Sequence, residues 1–156
     1  MDYLVNLSTL QRDTQSPERM AQGGITIRRA LPPELRLITG WVGEHFSQGW
    51  ASETTVAMTR QPPTCFIATR NQELVGFSCH EATARGFFGP TGVAEDVRGL
   101  GIGRALLFAS LTDMKAMGYA YAVIGDVGPS EFYEKTVGAM PIPNSAPGIY
   151  AGMLKL

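Results

Sequence analysis

The sequence predicts an α/β protein of mixed layer architecture, and three observations carry that prediction. Residues 92–107 run from an apolar segment through a glycine-rich turn straight into a helix whose Leu107, Leu111 and Met114 fall at i, i+4 and i+7. Residues 119–124 form a continuous apolar run, the pattern of a strand covered on both faces. Short strand-like runs alternate along the chain with helical periodicity instead of segregating from it. At 156 residues the chain is long enough to bury a substantial core and matches one ordinary domain, expected over residues 24–156.

Taken in order, residues 1–23 read as a loosely attached N-terminal extension, polar from Gln11 and ending in Gln-Gly-Gly, with an apolar start at Tyr3, Leu4 and Val5 that suits a short helix. Residues 25–28 alternate as a first strand. Pro32-Pro33 opens a helix to about Phe46 on the spacing of Leu35, Ile38, Trp41, Val42 and His45, and residues 52–60 give a weaker second helix closed by Pro62-Pro63. Residues 65–69 and 74–79 are strands joined by a hairpin-sized connection, and residues 86–93 a fourth strand. The helix after the glycine turn ends at Gly118, residues 119–124 make the fifth strand, and 129–137 a short helix with Pro at its first position. Pro141, Pro143 and Pro147 assign the tail to an edge or irregular segment, with a last strand at 149–154. The resulting order is βααβββαβαβ.

The glycine turn carries the chemistry. Gly99, Gly101 and Gly103 lack side chains and tolerate positive φ, so their N–H groups can converge on an anion at the helix start, beside the permanent cation of Arg98. No glycine here precedes Lys and Ser or Thr, which excludes the G-x-x-x-x-G-K-[ST] loop. The dinucleotide fingerprint G-x-G-x-x-G is met in part: its third position falls on Arg104 or Leu106, although Asp126 sits where that fingerprint has its acid.

Arg98-Gly99-Leu100-Gly101-Ile102-Gly103 meets a third pattern, R/Q-x-x-G-x-G/A, and resembles motif A of the GNAT superfamily of acyl-CoA-dependent N-acyltransferases. Val93 before it and Arg104 to Leu107 after it are similar to the same pattern, and Glu131-Phe132-Tyr133-Glu134-Lys135 followed by Val137-Gly138-Ala139 resembles that family's F-Y-E-K-x-G-F element. The resemblance covers roughly residues 24 to 140. It implies a mostly antiparallel central sheet flanked by helices, with acetyl-CoA as co-substrate. It also implies a cofactor-binding set of Val93, Ala94, Arg98, Gly99, Leu100, Gly101, Ile102, Gly103, Arg104, Asp126 and Tyr133. Asp126 departs from the family's usual Asn, and Pro90 removes one amide from the fourth strand, leaving those of 92–94 for the pantetheine.

Acyl transfer to an alkylamine requires a proton acceptor for the ammonium and a donor for the departing thiolate. The resemblance makes Tyr133 the donor. Glu81 is the preferred base, with His80, Glu95, Asp96 and a water chain as alternatives, because residues 86–93 contain no acid. Trp41, His45, Phe46 and Trp50 gather where the fold shapes an acceptor pocket, and Glu44 and Glu53 lie nearby. The reading is an N-acetyltransferase acting on a small-molecule or protein amine. A CoA-sensing module without catalysis and a dinucleotide-binding protein remain as alternatives.

Charge and composition narrow the partners. A net charge of −1 with 17% charged residues gives no basic excess for nucleic acid or an anionic membrane, and no metal-ligand pattern is present. No apolar run reaches the ~20 residues of a membrane span, and residues 1–7 lack a basic leader, so the expected location is cytoplasmic. Cys65 and Cys79 lie in strand-like runs as small buried hydrophobes. Homodimerisation is common in the family.

Overall fold

The computed structural model describes all 156 residues and contains one seven-stranded sheet. Its elements are β1 (Tyr3–Asn6), α1 (Ser16–Gln22), β2 (Ile25–Arg29), α2 (Leu35–His45), α3 (Gln48–Met58), β3 (Cys65–Arg70), β4 (Glu73–His80), β5 (Phe87–Val93), α4 (Ile102–Ala116), β6 (Tyr121–Ile124), α5 (Ser130–Val137) and β7 (Met140–Pro141). The strand order is β2-β3-β4-β5-β6-β1-β7. Every neighbouring pair is antiparallel except β5 and β6.

That parallel pair is what opens the site. β5 and β6 are in register only at Phe87–Val123 and Phe88–Ile124. Beyond them Gly89 takes φ 119° and Pro90 has no N–H to offer, so β5 continues to Val93 without a partner on its β6 side.

Neighbouring residues of a strand point to opposite faces, and the helices follow that alternation. Ile67 belongs with α2 and α3, packed among Ile38, Val42, Ala57, Met58 and Phe77. Ala68 belongs with α1 and α4, packed among Met20, Ile102, Ala105 and Leu106. Leu106, Leu107, Leu111 and Met114 of α4 are all fully buried. Each such side chain contributes ~1.5–3 kcal/mol of burial free energy, which fixes the glycine turn at the start of α4 to the centre of the sheet.

The N-terminal segment differs from its expected role. Residues 1–23 are not a loose extension: β1 lies inside the sheet between β6 and β7, and Val5 and Leu7 are fully buried against Leu107, Ala122 and Ile124. The alternation of Val5 and Leu7 makes that burial possible. α3 starts at Gln48, four residues before the expected 52, because the Ser47 hydroxyl accepts the Trp50 amide at 3.1 Å and caps the helix. No strand forms at 149–154; the tail makes a short helical turn at Gly148–Tyr150, and the last strand is the two-residue edge pairing of β7. Cys65 and Cys79 oppose each other across β3 and β4 as buried free thiols. No helix is long and apolar enough to cross a membrane.

Candidate active site

A cleft of about 690 Å³ occupies the gap where β5 and β6 part. Its walls are the free side of β5, the residues that follow β6, the glycine turn with the first turn of α4, and α5.

One end of the cleft is built to meet an anion. After Val93 the chain makes a short turn at Glu95–Val97 and enters the glycine segment with Gly99 at φ 86° and Gly101 at φ 87°. Both angles lie in the left-handed region that glycine alone adopts without strain. Gly101 is the N-cap of α4 and brings no side-chain cap, and the first turn of α4 holds no acid, so the first-turn amides keep their donors and the positive helix end is uncompensated. A Cβ at Gly99 would meet nothing within 4 Å, and one at Gly103 only Val93 at 3.9 Å, so the cradle is open. Arg19, Arg98 and Arg104 line the same end. The Arg98 Nε donates to the Val93 carbonyl at 3.2 Å, and the Arg104 guanidinium lies 4.8 Å over the Phe108 ring with its Nε 3.6 Å from Asp13.

The other end is apolar with one phenol. Tyr133 lines the cleft from α5, only 5% exposed, its ring edge-on to Phe88 at 6.3 Å and to Phe132 at 5.1 Å. Burial pushes its pKa up to about 12 because the phenolate would be stranded away from water. Phe46 and Trp50, 5.2 Å apart, also line the cleft, with Phe46 against β5 at Gly92. Phe46 lies so close on β5 that a Cβ at Gly92 would clash with its ring. Trp41 and His45 stack on each other at 4.2 Å behind this wall and do not reach the cleft.

Most of the expected cofactor residues converge here: Val93, Arg98, Gly99, Gly101, Ile102, Gly103, Arg104, Asp126 and Tyr133 all line the cleft. Ala94 and Leu100 do not. The Ala94 amide is spent on the Val75 carbonyl at 2.8 Å, so it is not free for a ligand, and Leu100 projects into solvent, 39% exposed. Asp126 is at the rim with a largely exposed side chain, 3.9 Å from the Met1 amino group. Its own amide donates to Asp2 at 2.9 Å.

Glu81 is the main correction. Its carboxylate does not reach the cleft; one oxygen accepts the Gly86 amide at 2.7 Å and the other the Tyr119 hydroxyl at 3.0 Å, in a residue held at φ 60°. It clamps the β4–β5 connection. His80 is fully buried against α4, with Nε2 2.7 Å from Asp113, and burial lowers its pKa against the opposing pull of that carboxylate. Glu95 and Asp96 are exposed in the turn and outside the cleft. Glu53 accepts the hydroxyls of Thr83 at 2.9 Å and Tyr150 at 3.0 Å, also outside the cleft. Asp126 is the only carboxylate among the lining residues.

Sequence reasoning missed Arg19, which reaches the glycine turn from α1. The signals for α1 were available in Asp13, whose carboxylate accepts the amides of Gln15 and Ser16 at 3.1 and 3.2 Å, and in Pro17 in the first helical turn.

The family described as acetyltransferase (GNAT) family matches residues 30–139. Among solved structures, a GCN5-related glucosamine N-acetyltransferase region of a fungal multi-domain β-N-acetylglucosaminidase is 18% identical with a TM-score of 0.70, over 87% of this chain and 19% of that one. A GCN5-related N-acetyltransferase from Sphaerobacter thermophilus is 21% identical with a TM-score of 0.63, over 89% and 47%. A GNAT family acetyltransferase from Brucella melitensis, solved in complex with acetyl-CoA, is 20% identical with a TM-score of 0.54, over 71% and 80%. This chain thus spans about a fifth and about half of the first two. The comparison with curated proteins finds no match.

Proposed function

Because this chain belongs to the acetyltransferase (GNAT) family, we propose that it transfers an acetyl group from acetyl-CoA to a primary amine by direct attack within the cleft. The observation that carries the reading is the pairing, in one cavity, of an open glycine cradle adjoined by Arg19 and Arg98 with a buried, protonated phenol.

The residues fit the co-substrate. The cradle that a side chain would obstruct, the uncapped start of α4 and the cationic rim suit the pyrophosphate, while the unpaired side of β5 and the apolar lining suit the pantetheine arm. In the transfer the amine nitrogen bonds to the acyl carbon and the carbon–sulfur bond breaks; Tyr133 donates a proton to the departing sulfur and is reprotonated, through water, by the proton that the nitrogen loses as the amide forms. With Glu81 and His80 committed elsewhere, the ammonium gives up its proton to solvent before attack. Phe46 and Trp50 form the wall against which the acceptor lies.

The test is amine-dependent release of CoA, followed with a thiol reagent over a panel of alkyl, aryl and peptide α-amines. Release with at least one amine class supports the reading. Tight binding of acetyl-CoA with no release for any class overturns transfer in favour of sensing.

A further inference from the structure

We propose that Arg19, delivered by α1, is a phosphate-binding residue of the cleft, so that the segment ahead of β2 belongs to the co-substrate site; this rests on the acyl-CoA reading above. Its Nη2 donates to the Gly99 carbonyl at 2.9 Å, and the guanidinium packs so closely on Gly101 that a Cβ there would stand 2.7 Å from Nη1. Arg19 therefore lies across the two positive-φ glycines on the side that lines the cleft.

Its charge is free for a ligand. A guanidinium carries five N–H donors in a rigid fork, and a single hydrogen bond, to a neutral carbonyl, occupies this one. Arg28 and Arg29 pair with Glu34 and Asp113, and Arg104 lies beside Asp13, whereas no ion pair of the molecule involves Arg19. Arg98 precedes the turn and Arg19 lies over Gly99 and Gly101, so both cations adjoin the cradle.

Arg19 is also held in place. Asp13 caps the start of α1 and lies 3.6 Å from Arg104 of α4, and Met20, the residue after Arg19, is buried among Ile25, Ile102 and Leu106. Burial alone would raise the Asp13 carboxyl, but hydrogen bonds from Ser16 and Gln15 and the nearby Arg104 charge lower it overall, so this tether is ionised at neutral pH. The helix thus presents a positioned cation instead of a mobile one, which limits the ordering cost of binding.

The experiment measures dissociation constants of the full chain and its Arg19→Gln and Arg19→Lys variants for CoA, dephospho-CoA and pantetheine at low and high salt. Arg19 is exposed, so thermal midpoints should match the wild type. Loss of a charge-assisted contact predicts CoA affinity lower by about tenfold or more in Arg19→Gln, less in Arg19→Lys, with pantetheine unchanged and a shallower salt dependence. A loss kept with dephospho-CoA assigns Arg19 to the pyrophosphate, and a loss confined to CoA assigns it to the 3′-phosphate. A change under about twofold, or an equal loss for CoA and pantetheine with unaltered salt dependence, overturns the proposal and leaves Arg19 as a brace on the Gly99 carbonyl. A wild-type chain that binds none of the three refutes the acyl-CoA reading itself, and this inference with it.

Discussion

Replacing Tyr133 by Phe removes one oxygen from the cleft and isolates its chemical contribution. The hydroxyl makes no hydrogen bond within the protein and the ring packing on Phe88 and Phe132 is retained, so the fold should lose less than about 0.5 kcal/mol. With a pKa pushed to about 12, fewer than about one molecule in ten thousand carries the phenolate at pH 7.5, so the native enzyme always presents a donor. Positioned proton donors contribute ~10²–10⁴-fold, and a thiolate, already a good leaving group, places this one near the lower bound, about 3 kcal/mol of barrier. Steady-state CoA release should therefore show kcat down about a hundredfold with the acetyl-CoA dissociation constant unchanged. A kcat within about twofold of wild type refutes the donor assignment. Between about pH 10 and 12 the unfolded phenol loses a proton that the native one keeps, so stability falls as pH rises through that window, and Tyr133→Phe should flatten the decline.

Leu7→Ala tests whether the N-terminal strand is structural: Leu7 is fully buried, so the substitution should cost about 3 kcal/mol and lower the thermal midpoint by about 6–12 °C, read by circular dichroism. Glu81→Ala strands the buried Gly86 amide at a cost of about 1–3 kcal/mol and leaves the half-buried Tyr119 hydroxyl to water, yet kcat at 25 °C should stay within about threefold; a loss of about a hundredfold in a folded variant restores Glu81 as the base. His80 titrates below its ordinary value through burial, so on acidification from about pH 6.5 the unfolded chain takes up a proton that the native one resists. Thermal midpoints should decline as pH falls below about 6.5, and a flat profile refutes the buried neutral imidazole.

The glycine turn and α4 were legible because local chemistry decides them. Gly99 and Gly101 suit φ values that other residues avoid, and Leu107, Leu111 and Met114 repeat with a period that only a helix satisfies. Glu81 was illegible for the opposite reason. Its role depends on whether its carboxylate finds the Gly86 amide and the Tyr119 hydroxyl, and the latter is 38 residues away along the chain. A carboxylate at a strand end looks the same in sequence whether it faces a substrate or clamps a loop. β1 escaped notice because four residues provide too little alternation to separate a strand from a short helix, and its partners lie near the other end of the chain.

That least legible segment touches both walls of the cleft. β1 pairs along β6, and just beyond β6 the Asp2 carboxylate accepts the Asp126 amide at 2.9 Å while the Met1 carbonyl accepts that of Val127 at 3.1 Å. Asp126 and Val127 form part of the wall beside Tyr133. From β1 the chain continues through Asp13 to α1, which places Arg19 over Gly101 on the opposite wall. The gap between β5 and β6 has no hydrogen-bond ladder beyond Phe88 to set its width. The core packing of Leu107 and Leu111 against Ile124 and Tyr133 holds α4 to the far wall, and this segment adds a second span between the walls, fixed at one end by backbone pairing and at the other by a buried methionine and a tethered carboxylate. The separation between the anion cradle and the phenol, on which the proposed transfer depends, thus rests on two independent connections.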